Sequence, residues 1–306
     1  MERQPTPPTE AADVTIRRVR ADDLAALYDI WYHIEVGDHP NPPPHQGVLP
    51  DHQHILDTGV MYLAERNGVP LGFAGAVTRG NVTFLTDLFV SPRSQSNGVG
   101  AQLLHAAFRQ NERRIRCTVS SNDPRALSLY IRAGMQPQWP NFLLRRPSTE
   151  FTALPEAGVE VVEGNDDDPD IVSWDAAISG RVRPQDHVYW MVQEGGIPLW
   201  FRRRGQTIGY AYVRLTAGTL WQPDAARVGP VGAHTPEDAA ACVFGAVRWA
   251  ASHAKIVRID VPGPHESLAP LLDAGFIITY VETFVSSATA PFFDARLYVG
   301  SGGSLL

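Results

Sequence analysis

A chain of 306 residues, 44% hydrophobic and 19% charged, has room for one large or two ordinary domains with real cores. Its formal net charge of −7 argues against a nucleic-acid surface, which needs a basic patch or stripe. Two cysteines, Cys117 and Cys242, make neither a disulfide framework nor a paired-cysteine metal site, and they point to a reducing cytoplasm.

In chain order, "MERQPTPPTEAAD" is polar and Pro-rich, so residues 1–12 read as a disordered start without a signal-type apolar core. No stretch approaches the ~20 apolar residues of a membrane helix, so no membrane partner is expected. "VTIRRV" alternates as a half-buried strand does. "ADDLAALYDIWYHI" follows with acids at its start and Leu24, Leu27, Tyr28 and Trp31 on one helical face. The next segment, 33–54, holds His33, His39, His45, His52 and His54 among prolines and is expected to be a solvated loop bordering a short helix. Its histidine spacing has no metal-ligand framework. "VMYLAERNGVPLGFAGAVTRG" reads as a hairpin turning at "RNGVP", and "NVTFLTDLFVSP" as a further strand. A polar, Gly-containing loop leads into the helix "VGAQLLHAAFRQNERR". "IRCTVSS" is a strand, "DPRALSLYIRAG" a helix capped by Asp123 with Pro124 in its first turn, and "NFLLRR" a strand.

The order of this first stretch is β, α, α, β, β, β, α, β, α, β; "VEVVE" then opens a second series, with a hairpin at "RRGQTIGYAYVRL", a strand–loop–helix at "RVGPVGAHTPEDAAACVFGAVRWA", a strand at "IVRIDVPG" and a helix and strand in "HESLAPLLDAGFIITYVETFVSS". Pairing Val90 with Val231 and Gly134 with Gly275 gives the same offset, 141, without a gap, while the hairpin glycines Gly72 and Gly209 pair at 137. The expected organisation is a first domain over 13–147, a linker over 148–158 and a second copy over 159–306. The fold class is α+β, two tandem mixed sheets, mainly antiparallel and flanked by helices.

The residues "LFVSPRSQSNGVGAQLL" and "NDPRALSLYIRAGM" resemble the acetyl-CoA motif and its neighbour in the GCN5-related N-acetyltransferase (GNAT) superfamily. The pattern Q-x-x-G-x-G/A lies after a strand and opens a helix. Gly98 and Gly100 let the backbone approach closely, so N–H groups from Ser96 to Ala101 can face a pyrophosphate at the positive end of the helix dipole. The missing G-K-[ST] ending argues against a Walker loop.

The resemblance implies a cofactor surface made of Leu88, Phe89 and Val90, whose backbone pairs with the pantetheine arm, and of Gln95, Ser96, Asn97, Gly98, Val99, Gly100 and Ala101. It also implies that Asn122 contacts that arm and that Tyr130 protonates the departing coenzyme A thiolate. A phenol of pKa near 10 suits that step; "ALSLY" also has the spacing of a core helix face. Asp87 is the nearest candidate to take the proton of the attacking amine or to anchor it, with a water chain as the competitor. Many relatives carry Glu at the position that is Thr86 here.

At the 141 offset, Gln95 becomes Pro236, Gly98 Ala239, Gly100 Ala241, Asn122 Gly263 and Tyr130 Leu271. Two acids stand in the loop "AHTPEDAAA", where they would repel a polyphosphate. The second copy is therefore expected to be degenerate, with Trp174, Tyr189, Trp190 and Trp200 lining an acceptor cleft or filling a core. The resemblance implies an acetyltransferase moving acetyl, or another short acyl group, from coenzyme A to a primary amine of a small molecule, without a metal. A tandem enzyme like mycothiol synthase is one alternative, although that family keeps its chemistry in the C-terminal half. A non-catalytic acyl-CoA-binding or regulatory module is the other.

Overall fold

The computed structural model describes residues 13–95, 97–109, 114–148, 154–164, 170–302 and 305–306. The expected disordered start and residues 149–153 of the expected linker lie outside them. The first half runs β1 (Thr15–Arg18), α1 (Leu24–Val36), α2 (Pro50–Thr58), β2 (Val60–Arg66), β3 (Val69–Arg79), β4 (Val82–Val90), α3 (Val99–Phe108), β5 (Ile115–Ser120), α4 (Pro124–Arg132) and β6 (Gln136–Pro147). The second runs β7 (Glu160–Glu163), α5 (Ile171–Ser179), α6 (Pro184–Val188), β8 (Ile197–Arg203), β9 (Gln206–Arg214), β10 (Ala225–Ala233), α7 (Pro236–His253), β11 (Ile256–Pro262), α8 (Leu268–Asp273), β12 (Ile277–Ser286) and β13 (Tyr298–Val299). Among the described residues no helix is long and apolar enough to cross a membrane.

Local chemistry accounts for several boundaries. Asn67 and Gly68, at φ of 53° and 76°, make the two-residue turn from β2 to β3 that hairpins favour. The Asp123 carboxylate accepts the Arg125 N–H at 2.8 Å and caps α4, with Pro124 in the first turn.

Contacts divide the chain into two compact units: Met1–Gly75 with Asp87–Gln110, and Ala76–Thr86 with Asn111–Leu306. The cuts between these units fall within β3, within β4 and after Gln110. In the first unit β1 pairs antiparallel with β2, and Leu27, Tyr28, Ile55, Met61, Leu63, Phe73, Leu103 and Leu104 form the buried interior. Gly72 is needed there, because a Cβ on it would sit 2.5 Å from the Phe89 carbonyl oxygen.

The second unit carries the strand order β4-β5-β12-β6-β11-β10-β9-β8-β7, with β13 on β10. The core between this sheet and α7 includes Leu199, Phe201, Val213, Val243, Val247 and Ile259. Tyr189, Trp190 and Trp200 are buried and Trp174 packs edge-on against Trp200, which resolves those aromatics toward filling a core. The Asp175 carboxylate lies among them, accepting from Arg183 at 2.7 Å and from the Tyr210 hydroxyl at 2.5 Å.

The halves exchange strands inside this unit. β12, from the second half, lies between β5 and β6 of the first, and β6 lies beside β11 of the second. The registers follow the repeat. Exchanging residues for their counterparts 141 positions away turns Thr283↔Ser120 into Phe142↔Val261, a pair that the other ladder contains. The β12–β6 ladder maps onto itself, with Glu282↔Asn141 at its centre and its irregularities skipping Thr279 and Gln138, again counterparts. Pro137 and Pro140 enter β6 only where β11 does not pair with it, since that ladder covers 141–147. A missing N–H is tolerated there.

At the centre, the Asn141 amide faces the Glu282 carboxyl at 3.5 Å. Burial, helped by the Asp260 charge, raises that carboxyl to about 7. Between the ordinary carboxyl range and pH 7, the folded chain holds a proton that the unfolded chain releases, so stability falls as pH rises through that window. Glu282→Gln should therefore stabilise the protein by roughly 2 kcal/mol at pH 8.5 and leave it nearly unchanged at about pH 4, below the ordinary carboxyl value. Urea unfolding at the two pH values checks this; an equal effect at both would contradict it.

Candidate functional site

The helix α3 opens on Gly98, whose φ of 78° is in the left-handed region where a side chain is strained. Gly98 supplies no capping group, and the first intrahelical bond is Gln102 N–H to the Gly98 carbonyl at 3.1 Å. Helix geometry therefore leaves the N–H groups of Val99, Gly100 and Ala101 without an intrahelical acceptor. A Cβ built on Gly98 would meet nothing within 4 Å, so space is open beside the turn. Gln95 ties the loop to the preceding strand by donating to the Val90 carbonyl at 3.0 Å. Asn97 and Ala101 are exposed, Val99 is buried and Leu88, Phe89 and Val90 are half-buried. Ser96 lies outside the described residues. All of this belongs to the first unit.

The corresponding helix of the second half is already occupied by its own side chains. Thr235 caps α7, its hydroxyl accepting the Asp238 N–H at 3.2 Å, and the Asp238 carboxylate pairs with Arg203. Ala239 and Leu271, the counterparts of Gly98 and Tyr130, are buried. Gly98 gives the first helix start no side-chain cap, whereas Thr235 caps the second.

Asp87 is buried near the end of β4, and His52 of α2 faces it, with 3.6 Å between the imidazole Nε2 and a carboxylate oxygen. The Phe73 ring packs edge-on against the imidazole at 5.3 Å and stacks with Phe89 at 5.5 Å. This corrects the solvated-loop expectation for two of the five histidines. His52 is fully buried and His54 is 5% exposed, because Pro50 starts a helix that turns both inward. His33, His39 and His45 are exposed as expected. His45 is held by Asp29 at 2.7 Å, and Glu35 is exposed on α1.

The other two expected site residues belong to the second unit. Tyr130 is 6% exposed on α4. Asn122 is exposed just before that helix, and its side-chain oxygen accepts from the Tyr280 hydroxyl at 3.0 Å. Tyr280 comes from β12, so the exchanged strand delivers a second-half residue to a first-half motif. No local pattern could have revealed it, since the two are 158 positions apart. Among the described residues no group of three or more His, Cys, Asp or Glu is arranged to hold a metal ion.

A sequence model described as "Acetyltransferase (GNAT) family" matches residues 24–135. No curated protein matches the chain by sequence. Similar solved structures include a protein of Pyrococcus horikoshii, named only provisionally as an acetyltransferase, at 15% identity and a TM-score of 0.71 over 99% of both chains. A GCN5-related N-acetyltransferase from Sphaerobacter thermophilus aligns at 14% identity and 0.62, covering 93% of this chain and 98% of its own. A tandem GNAT protein from the clavulanic acid biosynthesis pathway aligns at 13% and 0.57, covering 91% of this chain and all of its own. At these identities the likeness is one of fold.

Proposed function

We propose, from the match of residues 24–135 to the acetyltransferase (GNAT) family, that the chain is an N-acyltransferase with a single working acetyl-CoA site, in the N-terminal half. The observation that carries this reading is the contrast between the two helix starts. The turn at Gly98, which supplies no cap of its own, has N–H groups to offer a pyrophosphate, whereas Thr235 and Asp238 fill the equivalent place in the second half.

In this reading Gln95, Asn97, Gly98, Val99, Gly100 and Ala101, with Ser96, cradle the phosphates, and the backbone of Leu88, Phe89 and Val90 pairs with the pantetheine arm. Gln95 already takes one Val90 carbonyl bond and keeps the turn beside the strand end. Asn122 contacts the arm, held in place by Tyr280. The acceptor is a primary amine of a small molecule, arriving as an ammonium. Asp87 removes its proton or anchors it. The amine lone pair then attacks the thioester carbonyl, the C–S bond breaks, Tyr130 protonates the thiolate, and the second proton shed by the acylated nitrogen restores the phenol. No metal takes part. The buried thiols Cys117 and Cys242 suit a reducing cytoplasm.

Calorimetry with acetyl-CoA tests the reading. One site per chain is expected, and Gly98→Asp should weaken it at least tenfold, about 1.4 kcal/mol, by putting a carboxylate where the pyrophosphate docks. Asp tolerates the left-handed conformation better than most residues, so the variant should fold. Undiminished binding by Gly98→Asp would put the site elsewhere.

A further inference from the structure

His52 is the least explained polar group in the first unit. It is fully buried, and neither ring nitrogen has a hydrogen-bond partner among the described residues. Buried polar atoms are almost always satisfied, and exceptions concentrate where chemistry or a bound group completes them. The charged groups that reach the ring are Asp87 on β4, 3.6 Å away, and Asp51 on its own helix, whose carboxylate accepts the His52 backbone N–H. From β3, the Phe73 ring packs edge-on against the imidazole. A distance of 3.6 Å is too long for a hydrogen bond but short enough to close when a substrate tightens the site.

We propose that His52 is the terminal acceptor of the proton that the substrate ammonium must shed, reached through Asp87. This rests on the acyl-transfer reading above. The ammonium N–H bond breaks toward an Asp87 oxygen, and Asp87 passes a proton to the imidazole nitrogen facing it. The amine is left with its lone pair, Asp87 returns to carboxylate and His52 becomes imidazolium, stabilised by the carboxylate beside it. His52 thus acts through Asp87 and is a positioning residue for the proton, whereas Asp87 meets the substrate. The relay assigns a role to a histidine that a carboxylate alone would not need. A carboxylate alone is a weak base toward an ammonium, while an imidazole is a stronger one, and here the Asp87 and Asp51 carboxylates raise it above its ordinary value against the opposing effect of burial.

The test follows thiol release from acetyl-CoA between pH 5.5 and 9 with glucosamine, spermidine and lysine, and separately with hydroxylamine, which is unprotonated at neutral pH. The wild-type protein should show an acid limb with a midpoint above the ordinary histidine value of about 6.5. His52→Gln should lower kcat about 100-fold with the ammonium substrates, erase that limb and leave acetyl-CoA binding intact. Hydroxylamine transfer should be nearly unaffected. Asp87→Asn should give the same pattern, and the double variant no further loss, which keeps the idea testable if one variant folds poorly. An unchanged acid limb in His52→Gln, or equal losses with hydroxylamine and the ammonium substrates, overturns the relay while leaving acyl transfer standing. No thiol release by the wild-type protein with any of the four nucleophiles overturns both.

Discussion

A chain ended after Ser148 should not fold cooperatively. β12 lies antiparallel between β5 and β6, and β11 covers the other edge of β6. Truncation removes both, so β6 loses its backbone partners on each side and β5 loses one. Leu144 and Phe142 lose the β11 residues of their cluster, Val257, Ile259 and Val261. An unpaired strand edge is a template for aggregation, so the expected product is insoluble or lacks a thermal transition. Supplying residues 154–306 as a second chain in the same cells should restore a soluble complex, because the exchanged ladders form between the fragments as they do within the chain. A soluble 1–148 fragment melting near the full-length protein would show that the exchange is dispensable. The experiment matters for function as well, since Tyr280 reaches Asn122 only along β12.

Tyr130→Phe should leave acetyl-CoA affinity within about twofold and lower kcat by roughly 100-fold or more, the usual scale for removing a positioned general acid. The ring stays, so the packing of a residue only 6% exposed is kept and only the hydroxyl is lost. If the hydroxyl protonates the thiolate, acyl donors with the poorest leaving groups suffer most. Calorimetry and steady-state rates on the same preparation separate binding from turnover. A variant with wild-type kcat would make Tyr130 a core residue of α4 and reassign the acid. Because one hydroxyl is deleted without creating a charge or a large cavity, a loss of kcat is not readily ascribed to misfolding.

The loop and its helix were readable because their signals are local. A Gly pattern between a strand and an amphipathic run fixes where the helix begins, and Asp123-Pro124 marks the start of α4 in the same way. His52 was misread for a comparable reason. Prolines and histidines together look like loop, yet Pro50 at a first helical position starts α2 and buries the two histidines that follow. Asp87 was visible as a candidate, but its partner lies 35 positions away in sequence, outside any window that periodicity can use.

By itself, the sequence determined the element order of the first half, the repeat at an offset of 141, and which copy keeps the glycine turn, while α5 and α6 of the second half were not legible in it. Those follow from backbone preferences and side-chain spacing that act within one turn or one strand. Only the tertiary structure decided that β12 stands between β5 and β6, that Glu282 meets Asn141 at the centre of the exchange, and that His52 faces Asp87. Two copies of one pattern present equivalent strands with equivalent apolar faces, so their sequences allow pairing within a half or across halves alike. Closing the sheet selects the partner, and that choice depends on contacts summed over the whole chain.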